Sequence, residues 1–445
     1  MRKISIQEIV TTTDAVTTAA KDDYIDRVVI DSREVALYKK ENVLFVALKG
    51  EKVDGHMFVQ QALDSGAAYA LVETLFQSSS QDVKLLRVND PLEALDKLGK
   101  YYLAQFDIPK IGITGSVGKT ITKEYTANVL SQKYNVHKSR GNLNTVIGLP
   151  ITIFDLNEQH EISVLELGTN HFGEIRKLTE LVQPDIALIT TIGASHLEFL
   201  NNLDGVFKEK FDIFEHSPAN SLKIFSSSIH YLENYKGEKN YISYGFEEND
   251  DFVIEDIHVH QGKYYFSLNN EQFHISDDVY HNVFNAIPAT IIGKEFGLSN
   301  EQIQRGLLLP IDVGLRMEFI VNHDKEWLII ADCYNANPVS MASALAYVEN
   351  LPHHHKYVII GDMLELGEKS EQYHADIGLL VREMGIEGSY AVGPMAKFYG
   401  LKHHYDTPEQ LIEVLANDEF PEDTAILVKA SRGIELEKIV ERLKN

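Results

Sequence analysis

The chain has 445 residues, 44% of them hydrophobic, which is too long for one core and predicts two or three domains. Its 41 lysines and arginines stand against 66 aspartates and glutamates, a net charge of −25 that repels nucleic acid and anionic membranes. Cys333 is the one cysteine, so no intramolecular disulfide forms, MRKISIQEIVTTTD at the start has no apolar signal core, and no apolar run nears the about 18–20 residues that span a bilayer. These features predict a soluble cytoplasmic protein without nucleic-acid or membrane partners. Any polyanionic substrate must then be held by local cations and backbone dipoles.

Residues 1–88 alternate strands and helices, with strands expected at 27–31, 43–48 and 68–72 and a helix near 56–65. The loops DSREV (31–35) and LKGEKVDGH (48–56) read on composition as exposed turns. The sharper alternative is a site for a phosphorylated or sugar ligand built from Ser32, Arg33, Lys49 and Gly50.

A helix at 91–105 leads to a β-branched strand at 110–114, and the loop Gly115-Ser116-Val117-Gly118 then opens a helix at Lys119-Thr120. Ile121, Tyr125 and Val129 recur four apart, one buried helical face. Glycines let backbone N–H groups crowd round a phosphate, and the helix N-terminus adds partial positive charge. Lys119 would reach the β and γ phosphates, and Thr120 would hold Mg²⁺ through its hydroxyl. The general phosphate-loop pattern wants a glycine where Ile113 stands, with Gly112 and Gly115 on either side.

Apolar strands follow at 162–167 and 186–192, with helices between, as in a parallel sheet. Ligands of such sheets sit beyond the carboxyl ends of the strands. Glu166 closes one strand and His196 follows the other, so a phosphate cradle, a carboxylate and an imidazole converge on one edge. A carboxylate suits Mg²⁺; a histidine there is a less usual ligand and is otherwise a helix cap or surface residue. Asn142 and Asn144, in KSRGNLNTVIGLP (138–150), read as turn formers or as amides that orient a polar substrate. Lys208 and Lys210 lie on an amphipathic helix, where lysines are normally solvated.

From about 222 to 275 the periodicity turns to two, an antiparallel meander with turns at Gln261-Gly262-Lys263 and Asn269-Asn270. A helix at 281–297 carries Asn282 and Asn285 on adjacent positions. From about Asp312, strands at 327–331, 357–361, 390–392 and 425–428 alternate with helices, a second doubly wound unit. The polar loops DCYNANP, GDMLELG and KASRG follow its strands and suggest a site facing a neighbouring domain; HHH (353–355) reads as an exposed loop. The expected fold is α/β in three domains: a small N-terminal domain (1–88), a central phosphate-loop domain with a parallel sheet and meander (89–311), and a Rossmann-like C-terminal domain (312–445).

TGSVGKT (114–120) is similar to the TGxxGKT of the Mur ligase family, which accounts for the glycine placement. ELGTNHFGEI (166–175), SHLEFL (195–200), HNVFNA (281–286), LRME (315–318), DCYNANPVSM (332–341), GDMLELGEKSEQYH (361–374) and SRG (431–433) extend the resemblance over most of the chain. YNANP with GDMLELGE points to the branch that adds D-alanyl-D-alanine to a UDP-N-acetylmuramoyl-tripeptide. The resemblance implies an ATP-dependent, Mg²⁺-requiring, amide-forming ligase of peptidoglycan precursor synthesis, acting as a monomer.

By that resemblance Gly115, Ser116, Val117, Gly118, Lys119 and Thr120 bind ATP. Thr120 and Glu166 hold Mg²⁺ and His196 holds a second Mg²⁺, with Lys210 completing a metal site once carbamylated. Asn282 meets the adenine, while Arg316, Asp332 and Asn335 close over the nucleotide. Ser32, Arg33, Lys49 and Gly50 hold the UDP-sugar, and Asn142 and Asn144 orient the peptide arm. Phe172 stands where a proline is commoner, and Leu315 sits like an insertion before Arg316. Two rivals remain: a folylpolyglutamate-synthase-like ligase, which would not carry YNANP with GDMLELGE, and a nucleotide switch, for which no Asn-Lys-x-Asp motif is present.

Overall fold

A computed structural model describes residues 1–444 apart from 51–52, 78–81, 262, 277–278, 312–313 and 417–419. The turn glycine Gly262, the pair Glu51-Lys52 and the expected third-domain start at Asp312 lie outside the described residues. The fold is α/β, carried by three sheets built on parallel strands.

The N-terminal sheet is parallel and four-stranded, in the order Arg27–Val29, Val43–Val46, Tyr69–Glu73, Leu85–Val88. Asp90 then caps the helix Pro91–Leu103 by accepting from the Leu92 and Glu93 amides at 2.8 and 3.2 Å. Leu95 and Leu98 of that helix share one core with Leu44 and Leu71 of the first sheet and Leu149 and Leu165 of the central domain. This apolar wedge seats the N-terminal sheet on the middle of the molecule.

The central sheet has nine strands. From its outer edge they run Glu271–Ile275, Lys263–Leu268, Phe252–His260, Tyr241–Gly245, Leu222–Ser226, Ile186–Ile189, Lys110–Thr114, Ile162–Glu166 and Val136–Lys138. Two of its middle strands, Ile162–Glu166 and Ile186–Ile189, are buried at every residue because both faces are covered. Leu165, Ala187 and Ile189 face one core; Ile111, Ile113, Val164 and Leu188 face the other, where they meet Tyr125, Val129 and Ile287.

One expectation is corrected here. Residues 222–245 do not join the antiparallel meander; Leu222–Ser226 and Tyr241–Gly245 extend the sheet in parallel. The segment between them, including the 3-10 turn His230–Tyr235, is long enough to cross back, and a crossover is what parallel pairing requires. Within the described residues of this sheet, only Phe252–His260, Lys263–Leu268 and Glu271–Ile275 form antiparallel pairs.

The C-terminal sheet runs Glu318–Asn322, Trp327–Asp332, Thr424–Lys429, His355–Gly361, Gly388–Val392, His403–Tyr405, parallel except for its first strand. It meets the central domain where Val339 approaches Gly193, Ser343 approaches His281, and Tyr373 packs on Leu197 and Leu200. His355 opens a strand and its Nδ1 lies 2.6 Å from Glu387 Oε2, as a surface pair.

Candidate active site

Strand register brings the site residues to one level. Ile113 pairs with Glu166, and Thr114 pairs with Ile189, so the chain leaves three adjacent strands at the same edge. Gly115 has φ 150° and Gly118 φ 88°, the latter capping the helix Lys119–Leu130. A Cβ at Gly115 would strike Thr190 Oγ1, and one at Gly118 would strike Asn285 Oδ1, so neither place admits a side chain.

The loop is pinned from the next strand. The Ser116 amide donates to Thr191 O at 2.9 Å, and the Ser116 hydroxyl donates to Gly193 O at 2.9 Å. The Val117 amide donates to Thr191 Oγ1 at 3.0 Å, and Thr190 Oγ1 donates to Val117 O at 2.6 Å. A loop tied this way keeps its shape before any ligand arrives.

Lys119 folds back so that its Nζ donates to Gly115 O at 2.7 Å. Burial pushes its amine down; Glu166 opposes this and Arg316, from the C-terminal domain, adds to it. The Arg316 guanidinium also lies 4.0 Å from the centre of the Tyr334 ring. Gly314, Leu315 and Met317 all have positive φ, so the irregular Leu315 is part of a tight turn that presents Arg316.

Two buried oxygens at this edge, Thr120 Oγ1 and Glu166 Oε2, have no hydrogen-bond partner. Buried polar atoms left unpaired are costly, and a hydroxyl and a carboxylate at one sheet edge are hard-oxygen donors suited to Mg²⁺. The other oxygen, Glu166 Oε1, accepts from Asn144 Nδ2 at 2.7 Å. Asn144 thus turns to the carboxylate, while Asn142 stays exposed.

Lys210, expected on a solvated face, is 1% exposed. It has no hydrogen bond or ion pair within the described residues. Burial holds its amine well below the ordinary lysine value, Lys119 adds to that, and Glu209 opposes it. Glu209 is itself buried and occupied: it accepts from the Gly173 and Ile175 amides at 2.6 and 2.8 Å, at the start of the helix Glu174–Val182. His196 Nδ1 lies 2.5 Å from Glu365 Oε2 of the C-terminal domain. Burial pushes the imidazole down, the Glu365 hydrogen bond opposes this, and Lys210 adds to it.

Asn282 is buried near the start of the helix Tyr280–Glu295, and its Oδ1 accepts from Asn285 Nδ2 at 2.9 Å. Asn285 Oδ1 in turn accepts from Thr122 at 3.3 Å, which ties this helix to the phosphate loop. In the C-terminal domain Lys429 Nζ reaches Asp332 Oδ2 at 2.6 Å and Asn335 O at 2.9 Å, fixing the loop between them.

Ser32, Arg33, Lys49 and Gly50 form a separate group beyond the carboxyl ends of two adjacent N-terminal strands. Arg33 is exposed and pairs with Asp31 at 2.5 Å; Ser32 is buried. The backbone of Lys49 forms an isolated antiparallel β-bridge with that of Asp54, and the Gly50 amide donates to Val53 O at 2.9 Å. Sequence reasoning did not single out Glu365, Lys429, Thr190 or Thr191. Glu365 lay within GDMLELGE, but nothing in that string names His196 as its partner.

Three family models cover the chain in turn: Mur ligase family, catalytic domain (residues 24–102); Mur ligase middle domain (113–293); and Mur ligase, glutamate ligase domain (315–432). The chain is 35% identical over 433 residues to the UDP-N-acetylmuramoyl-tripeptide--D-alanyl-D-alanine ligase of Bacillus subtilis (strain 168), covering 94% of this chain and 93% of that one. It is 32% identical over 441 residues to the ligase of the same name from Escherichia coli (strain K12), covering 95% and 94%. Among solved structures it resembles MurF from Acinetobacter baumannii with a TM-score of 0.90 at 30% identity, covering 100% of this chain and 99% of that one. It also resembles the MurF ligase of Thermotoga maritima in complex with ADP, with a TM-score of 0.82 at 28% identity, covering 94% and 97%.

Proposed function

This chain belongs to the Mur ligase family, and from that premise we propose that it is an ATP-dependent ligase joining D-alanyl-D-alanine to UDP-N-acetylmuramoyl-tripeptide in cytoplasmic peptidoglycan precursor synthesis. The observation that carries the reading is the pinned Gly115–Thr120 loop with two unpaired buried oxygens, Thr120 Oγ1 and Glu166 Oε2, at the same sheet edge.

The terminal carboxylate of the tripeptide attacks the γ-phosphorus of ATP. The bond to the ADP oxygen breaks and an acyl phosphate forms. The neutral amine of D-alanyl-D-alanine then attacks the acyl carbon, phosphate leaves, and the nitrogen sheds its extra proton. Bringing a carboxylate to a triphosphate sets anion against anion. Lys119 and the backbone amides of residues 115–120 offset this, an electrostatic contribution fixed before the reaction begins. Thr120 and Glu166 would hold one Mg²⁺ and His196 a second, with Lys210 completing a metal site once carbamylated; the two ions would neutralise charge on the phosphates and the attacking carboxylate.

Carbamylation requires a neutral amine, and burial shifts Lys210 toward that form. Asn144 holds Glu166 in place, and the same turn offers Asn142 to the peptide arm. Asn282 meets the adenine. Arg316, Asp332 and Asn335 close over the nucleotide from the C-terminal domain (312–445), excluding water from the acyl phosphate. Ser32, Arg33, Lys49 and Gly50 hold the UDP-sugar on the N-terminal domain (1–88), and the central domain (89–311) carries ATP. The chain acts as a monomer.

Phosphate release is measured with the UDP-tripeptide and each of three acceptors in turn: D-alanyl-D-alanine, D-alanine and glutamate. The reading expects release with the dipeptide alone and a product heavier by one dipeptide residue unit. Equal release with glutamate, or release without any acceptor, refutes it.

A further inference from the structure

The contact between His196 and Glu365 joins two domains and residues 169 positions apart in sequence. Both residues have left-handed backbones, φ 53° and φ 62°, which side-chain-bearing residues rarely adopt and which surrounding contacts must hold. Those contacts are present. The Glu198 amide donates to Glu365 O at 3.1 Å, just beyond His196. Gly367 has φ 61° and lies so near that a Cβ there would come within 3.2 Å of Glu198 Cα. Tyr373 packs beside these turns on Leu197 and Leu200.

Glu365 Oε2 stands 2.5 Å from His196 Nδ1, and among the described residues the ring has no other hydrogen-bond partner. The Glu365 carboxylate accepts a hydrogen bond from Nδ1–H, so the lone pair of the neutral ring lies on Nε2. A carboxylate behind a ligating imidazole fixes both tautomer and ring orientation.

The geometry points to Glu365 as a positioning residue through which the C-terminal domain completes the His196 cation site, so that the second cation binds in full only to the closed arrangement. This rests on the proposed role of His196. Glu365 touches neither phosphate nor carboxylate in this scheme and acts through the imidazole alone. Domain closure would thereby couple nucleotide capture to cation capture without a separate lid.

The test uses the full chain, a non-hydrolysable ATP analogue and Mn²⁺ as the probe. Binding is followed by electron paramagnetic resonance, with imidazole nitrogen coupling as the signature of His196. Glu365→Ala is expected to weaken the second Mn²⁺ about 10–100-fold and erase the nitrogen coupling, leaving the first ion unchanged. Glu365→Gln, which keeps an acceptor and nearly the same shape, should restore most of both. If Glu365→Ala keeps the wild-type affinity and coupling while His196→Ala loses the second ion, the positioning role is wrong and the His196 reading stands. If His196→Ala also keeps both ions, the two fall together.

Discussion

Replacing Lys210 by methionine should stabilise the protein while ending its activity. The side chain is 1% exposed, and no described residue pairs with its amine. Methionine has nearly the same length and flexibility and fills the same space without a polar end. A buried polar group without a partner costs about 1–3 kcal/mol, and that cost disappears with the amine. Taking about 2 kcal/mol for a unit of about 150–250 residues, the unfolding midpoint should rise by about 4–8 °C. Scanning calorimetry in buffer freed of carbon dioxide, where the wild-type amine is uncarbamylated, reads the shift. Phosphate release with both substrates reads the activity, expected to be lost because no carbamate can form at position 210. A lower midpoint would show that the amine has a stabilising partner, and retained turnover would remove Lys210 from the site.

Lys119→Ala should abolish ADP release that depends on both substrates, measured by coupled assay; full turnover would refute its role on the phosphates. Gly118→Ala forces a left-handed alanine, costing about 1–2 kcal/mol, and drives its Cβ against Asn285. Calorimetric titration should then show ATP-analogue binding weakened by about ten-fold. His137 is buried between Ser163 Oγ and Thr152 O at 2.9 and 3.0 Å, and burial, helped by His160, pushes its imidazole down to about 4. At pH 5 the unfolded chain binds a proton there that the folded chain refuses, so stability falls as pH drops below about 6.5, by about 2 kcal/mol at pH 5. Urea midpoints at pH 7 and pH 5 should show that loss in the wild type and its absence in His137→Gln.

The phosphate cradle was legible because its signals are local. The strand, glycines and helix start lie within 110–130, and the structure has Lys110–Thr114 followed by Lys119–Leu130. The sheet's centre was legible from short, largely apolar runs such as Ile186–Ile189. Residues 222–245 were misread because a strand's period is two whichever way its neighbour runs; direction is set by the connection. The edge strand Glu318–Asn322 went unnoticed because it is mostly exposed and lacks a clean apolar face. Contacts across domains were invisible: that Lys210 is buried, or that Glu365 meets His196, depends on packing between distant segments. Asn144 and Glu166 are 22 residues apart, and only the folded loop shows that one holds the other.

The central claim is that the ATP pocket activates the tripeptide's own carboxylate. Its most direct measurement uses UDP-N-acetylmuramoyl-tripeptide with ¹⁸O in the terminal carboxylate, ATP and D-alanyl-D-alanine, with the released phosphate analysed by mass spectrometry. Acyl-phosphate formation predicts one carboxylate ¹⁸O in each phosphate released. Phosphate free of the label, alongside normal product, would contradict the account.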